Sequence, residues 1–138
     1  MSAAPTPPPD ETRCPCGSGD SFGACCGPIL RRQRRAGTAE ALMRSRYTAF
    51  TVRDLEHLLR SWHPATRPAR DDLAASLAGE IRWLRLDVHA THGGGPFDDA
   101  GTVEFTAIST GPQGRHEQHE VSRFVREEGN WFYADGDL

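Results

Sequence analysis

Apolar positions recur with a helical period through the middle of the chain and with a period of two towards its end. From Ala39, the residues Leu42, Met43, Tyr47 and Phe50 fall on one side of a helix, and Thr38 is a suitable N-cap. Asp54 can cap a second helix, in which Leu55, Leu58, Leu59 and Trp62 sit at i, i+3, i+4 and i+7 before Pro64 stops it. A third, short helix is predicted from Asp71 or Asp72 through Leu73, Leu77 and Ala78, ending near Gly79. Beyond Gly79 the period changes. Leu84, Leu86 and Val88 alternate with Trp83, Arg85, Asp87 and His89, and Val103, Phe105 and Ala107 alternate with Glu104, Thr106 and Ile108, which predicts two strands. Two further strands, Glu117 to Glu128 and Asn130 to Asp135, join around Glu128-Gly129-Asn130, and glycine-proline clusters at Gly93 to Pro96 and Gly111 to Gly114 mark the other breaks. Helices followed by a meandering antiparallel sheet describe an α+β domain.

The first 37 residues fit neither period. Met1 to Thr12 hold four prolines and no large apolar side chain beyond Met1, so residues 1–12 are expected to form a disordered tail. Arg13 to Pro28 contain all four cysteines and one large apolar residue, Phe22, and need a covalent or metal staple to hold a shape. Cys14-Pro15-Cys16 and Cys25-Cys26 offer four soft thiolates, which suit a closed tetrahedral Zn²⁺ site, with Gly17-Ser18-Gly19 placed to turn backbone N–H groups onto the sulfurs. Two disulfides are the alternative, disfavoured for a chain in a reducing compartment. The knuckle is expected to add almost no apolar surface to the main core, so that its loss would leave the rest folded.

Composition narrows the class. Leu, Ile, Val and Phe together make up 24 of 138 residues, a lean core, but a net charge of −3 and three Trp argue for a folded chain. No apolar run approaches the ~20 residues that span a bilayer, and the start lacks an apolar leader segment, so the cytoplasm is the expected compartment and no membrane the expected partner. All 16 basic residues are Arg, and they concentrate towards the first half while acids dominate the last strands.

The cysteine segment, Cys14-Pro-Cys-Gly-Ser-Gly-x-x-Phe22-x-x-Cys25-Cys26, resembles the SEC-C motif, a zinc knuckle found on many bacterial proteins. The remainder is similar to the YchJ family. The blocks that carry the resemblance are Leu42-Met-Arg-Ser-Arg-Tyr-Thr-Ala-Phe50, Trp62-His-Pro64, Trp83-Leu-x-Leu-x-Val88, Val103-x-Phe105, Ser122-Arg-Phe124 and Trp131-x-Tyr-x-Asp-Gly136. The resemblance implies a cone-shaped, nuclear transport factor 2-like domain over residues 38–138 behind a knuckle at 13–28. Many members carry a second knuckle after the sheet, whereas this chain ends at Leu138 with one, so its expected role rests on a single knuckle.

A cone encloses a pocket, and Tyr47, His63, Trp83, Glu104, Arg123, Trp131 and Asp135 are the candidates to line it, with Arg44 and Arg46 also at motif positions. Arg123 alternates with Val121 and Val125 and is expected to point inward against Glu104 or Asp135. His63 with Glu104 is the one candidate acid/base pair, with Arg123 as an anion holder, and no nucleophile motif is present. Arg31, Arg32, Arg34 and Arg35 follow the knuckle directly and are candidates for contacts with a partner or with nucleic acid phosphates. The expected function is that of a zinc-binding accessory protein whose knuckle engages a protein partner and whose cone holds a small ligand or peptide. An enzyme acting in the cone and RNA or ribosome association through the arginines are the alternatives.

Overall fold

The computed structural model describes residues 6–137. A 3₁₀ turn, Phe22–Ala24, leads into the short helix α1 (Cys26–Leu30), followed by α2 (Ala39–Val52), α3 (Leu55–Arg60) and α4 (Arg70–Leu77). Four strands follow: β1 (Arg82–Gly93), β2 (Ala100–Gly111), β3 (Gly114–Glu127) and β4 (Asn130–Asp137), antiparallel in the order β1-β2-β3-β4. This is the expected α+β architecture. Its local signals act as read: the Thr38 hydroxyl accepts the Ala41 N–H, the Asp54 carboxylate accepts the His57 N–H, and Leu58 is fully buried. The β3–β4 turn has two residues, Glu128 and Gly129, both at positive φ, the conformation that closes a tight hairpin.

Helix α2 lies across one face of the sheet, and its apolar side meets Leu86, Val103, Phe105, Ala107, Phe124 and Trp131 in a single core. The strand alternation is broken by irregularities that the period could not show. Between Trp83 and Arg85 the β1–β2 register slips by one residue, so Trp83 packs on the core while Leu84, expected on the same side as Leu86, is 53% exposed. Strand β3 has the opposite phase to the one expected around Arg123: Ser122 and Phe124 are the buried residues, and Arg123 sits on the outer face.

The knuckle is not a bystander to this core. Cys14, Cys16, Phe22, Cys26, Ile29 and Leu30 belong to the same buried cluster as Leu42, Met43 and Tyr47, and the Cys14 sulfur lies 3.8 Å from the Thr48 hydroxyl on α2. The expectation of a knuckle with almost no shared surface is therefore corrected: α1, which Gly27 and Pro28 obscure in the sequence, buries Ile29 and Leu30 and carries the cysteine segment onto α2. The expected tail changes as well. Residues 1–5 lie outside the described residues, but the Thr12 and Asp10 carbonyls accept the Phe22 and Gly23 N–H groups, and Asp10 pairs with Arg31 at 3.0 Å. Residues 10–12 thus run along the knuckle, held by its backbone, and the Thr6 N–H donates to the Val52 carbonyl at the end of α2.

Candidate metal centre and cone cavity

Four sulfurs converge at the N-terminal end of the fold. The Sγ atoms of Cys14, Cys16, Cys25 and Cys26 all lie within 4.8 Å of one another, with Cys16 to Cys25 at 3.6 Å and Cys25 to Cys26 at 3.9 Å. Those separations are too long for a disulfide, which needs ~2.05 Å, and all four cysteines are free. They match the ~3.8 Å edge of a tetrahedron of sulfurs bound at ~2.3 Å to one ion. Gly17 and Gly19, at φ 79° and 95°, turn the chain tightly after Cys16. Ser18 then reaches the cluster, placing its hydroxyl 3.2 Å from the Cys25 sulfur.

Hydrogen bonds with Cys14 and Cys26 lower the pKa of the Cys16 thiol. The same contacts, together with burial, raise Cys26, and burial pushes Cys25 up to about 11. Four neighbouring sulfurs cannot all ionise without a cation between them, so the donor set is compatible with a metal ion and with the loss of its thiol protons on binding.

The second feature is a cavity of ≈ 260 Å³ between α2 and the inner face of the sheet. Met43, Arg46, Tyr47 and Phe50, at i, i+3, i+4 and i+7 on α2, form one wall; Phe105, Ala107, Glu120 and Phe124 from β2 and β3 form the other; Trp62, Trp83 and Tyr133 close the sides. Burial pushes the Tyr47 and Tyr133 hydroxyls up to about 12, so both are neutral donors.

Arg46 is the only charged side chain among the buried polar residues of the described chain. Only 5% of it is exposed, and among the described residues it has no carboxylate within ion-pair distance. Its guanidinium lies over two aromatic rings, 4.8 Å from the Trp62 centroid and 4.6 Å from that of Tyr133, and Nη1 donates to the Leu58 carbonyl and the Ser61 hydroxyl. Burial lowers its pKa to about 10, with Tyr133 and Glu120 opposing the shift, and this leaves it a cation at neutral pH.

Of the pocket candidates singled out in the sequence, Tyr47 and Trp83 line this cavity together with the motif residue Arg46, and His63, Glu104, Arg123, Trp131 and Asp135 do not. Arg123, expected inward, is on the outer face with a 42% exposed side chain, bound to Asp135 and, at 2.7 Å, to Asp137. The Asp135 pairing is as expected; the burial is not, because the phase of β3 turns Arg123 outward. Glu104 accepts from His119 at 2.7 Å on that outer face. His63 accepts the Ala65 N–H at Nδ1 and meets Glu127 through Nε2 at 3.0 Å, so the structure does not bring it to Glu104. Trp131 lines a separate trough of ≈ 500 Å³ together with Arg32, Arg34, Arg35 and Arg60. In the arginine run, Arg31 is tied to Asp10 and Arg34 donates to the Cys25 carbonyl. The spacing of Arg46 from Met43 and Phe50, on the apolar side of α2, was the signal for an inward cation.

Comparison with known proteins places these features. The family described as "YchJ, middle NTF2-like domain" matches residues 38–136, and the SEC-C motif matches residues 12–28. UPF0225 protein SCO1677 from Streptomyces coelicolor is 47% identical over 134 residues, covering 97% of this chain and 98% of its own. A solved SEC-C motif containing protein from Rhodopseudomonas palustris, RPA3114, has a TM-score of 0.81 at 35% identity, covering 91% of this chain and 97% of its own. A protein with a cystatin-like fold from Caulobacter vibrioides shares the fold with a TM-score of 0.56 at 16% identity, over 72% of this chain and 84% of its own.

Proposed function

The chain belongs to the YchJ family, whose relatives carry the UPF0225 name, and from that premise we propose that it is a zinc-stapled accessory protein. In this reading Cys14, Cys16, Cys25 and Cys26 hold one structural Zn²⁺, the knuckle presents a surface to a protein partner, and the cone holds a small ligand without turning it over. The observation that carries the reading is the convergence of four sulfurs at tetrahedral spacing. Zinc suits them because it takes four thiolates without redox chemistry, and a closed set of four protein ligands leaves no position for a substrate. The ion supplies structure only, fixing the knuckle that packs on α2.

A holding role is supported by how the polar groups of the cone are arranged. His63, Glu104 and Arg123, the residues an enzyme would need, are each engaged with other partners outside the cavity, and the cavity wall is mostly aromatic with a single cation. The exposed turn from Gly17 to Asp20 supports the knuckle as the partner surface. Protein is favoured over nucleic acid because Arg31 and Arg34 are spent on Asp10 and the Cys25 carbonyl. The proposed compartment is the cytoplasm; among the described residues no helix is long and apolar enough to cross a membrane.

Native mass spectrometry of the freshly reduced protein tests the metal directly. One zinc per chain, lost in Cys16→Ser, is the expected result; a metal-free protein, or a variant that keeps its zinc, contradicts it. For the partner surface, Asp20→Arg should keep the zinc and lose whatever protein co-purifies with the native chain. A variant that still carries that protein moves the partner off the knuckle.

A further inference from the structure

We propose that the cone cavity is a site for a small organic monocarboxylate with an apolar body, its carboxylate bound by Arg46. This deepens the reading of the cone as a ligand holder and rests on it. The starting observation is a cation nine-tenths buried with no carboxylate in ion-pair contact among the described residues, Glu120 lying in the opposite wall. A guanidinium carries five N–H donors, and Nη1 accounts for the two hydrogen bonds that Arg46 makes, which leaves Nε and Nη2 without acceptors among the described residues. The atoms that are both sealed from solvent and unpartnered are His57 Nδ1, Trp62 Nε1 and Trp131 Nε1. The free nitrogens of Arg46 are absent from that group, so they border open space, and the open space that Arg46 lines is the cavity.

The Trp62 ring stacks on the same guanidinium, while its indole N–H is sealed from open space. The free Nε and Nη2 of Arg46 call for an anionic acceptor, and a buried cation without an ion-pair partner is costly enough that a ligand supplying one binds with a gain. The remaining wall sets the class of that anion. Phe50, Trp83, Phe105 and Phe124 offer apolar and aromatic surface for its body. At ~30 Å³ for each water displaced, a cavity of ≈ 260 Å³ takes a molecule on the order of ten non-hydrogen atoms. A single cation matches a single negative charge, and Glu120 in the opposite wall disfavours a dianion such as phosphate.

The test titrates the full chain, zinc loaded, with 4-fluorobenzoate and with its neutral counterpart 4-fluorobenzyl alcohol at neutral pH, read by ¹⁹F NMR. The carboxylate is expected to bind at least ~10-fold more tightly than the alcohol, as a charge-assisted contact requires, and to shift the Trp62 indole N–H resonance. Arg46→Met is expected to abolish the preference. Ala107→Leu, which fills the cavity from the opposite wall and leaves Arg46 in place, is expected to weaken both molecules, so the outcome does not depend on how well the Arg46 variant folds. Equal binding of acid and alcohol, or displacement of the acid by an equal concentration of inorganic phosphate, overturns the monocarboxylate assignment and leaves the cone as a ligand holder. No binding of either molecule up to about 10 mM, well beyond a millimolar Kd, overturns both.

Discussion

The knuckle and the cone are mirror images in charge. In the knuckle, four sulfurs that would bind a cation as thiolates converge; in the cone, one guanidinium is buried with no carboxylate in ion-pair contact among the described residues. The outer face of the sheet behaves differently from both, since Arg123 has Asp135 and Asp137, and Glu104 has His119. What separates the three regions is satisfaction. Polar groups on the exposed face are paired with one another, while the knuckle sulfurs and the Arg46 guanidinium keep donors that their protein neighbours do not pair.

The largest effect is expected from the knuckle. Because its sulfurs share a core with Leu42 and Tyr47, Cys16→Ser should destabilise the whole chain by several kcal/mol, on the order of the folding energy that a structural zinc contributes, rather than releasing the knuckle alone. Chemical denaturation followed by circular dichroism with and without chelator checks this. A sheet that melts at the same denaturant concentration in both would restore the knuckle to an independent unit and break the comparison.

Next in size is a pH effect at the junction between the two regions. His57 is buried on α3, its Nε2 2.9 Å from the Ser45 hydroxyl and its Nδ1 without a partner; burial, with Arg60 and Arg46 nearby, lowers its pKa from 6.5 to about 3. Between those values the unfolded chain binds a proton that the folded chain refuses, so stability falls as pH drops below 6.5, by about 1.4 kcal/mol per unit, and levels off near 3. Urea denaturation from pH 7.5 to 4.5 should show that slope, and His57→Gln should flatten it.

How much of this was legible in the sequence follows from which signals are local. Thr38, Asp54 and the Glu128-Gly129 turn act on neighbouring backbone, and the sequence places them correctly. The register slip at Trp83 and the phase of Arg123 depend on which strand pairs with which, and alternation alone does not carry that information. The cysteines were visible as a donor set, but their packing against α2 was not, because α1 begins inside the cysteine pair and its five residues include Gly27 and Pro28. Arg46 stands in the sequence as a motif residue without a carboxylate at helical spacing to mark its burial; two aromatic rings, the Leu58 carbonyl and the Ser61 hydroxyl hold it instead.

Smaller effects separate the two arginines. Arg46→Met leaves no buried carboxylate behind, and the Ser61 hydroxyl still donates to the His57 carbonyl, so the loss should be about 1–2 kcal/mol rather than the ~3–5 kcal/mol of a broken buried ion pair. A larger loss measured by thermal melting would mean that a hidden counter-charge was orphaned. Arg123→Met, on the exposed face, should melt with the wild type, because exposed ion pairs add little. A clear drop there would mean that the outer face is covered by something in solution.

Whether the four cysteines together hold one zinc ion is measured most directly by zinc X-ray absorption on the purified, reduced full chain. A single shell of four sulfur scatterers at ~2.3 Å is expected. A shell with fewer sulfurs, with nitrogen or oxygen making up the set, would contradict it.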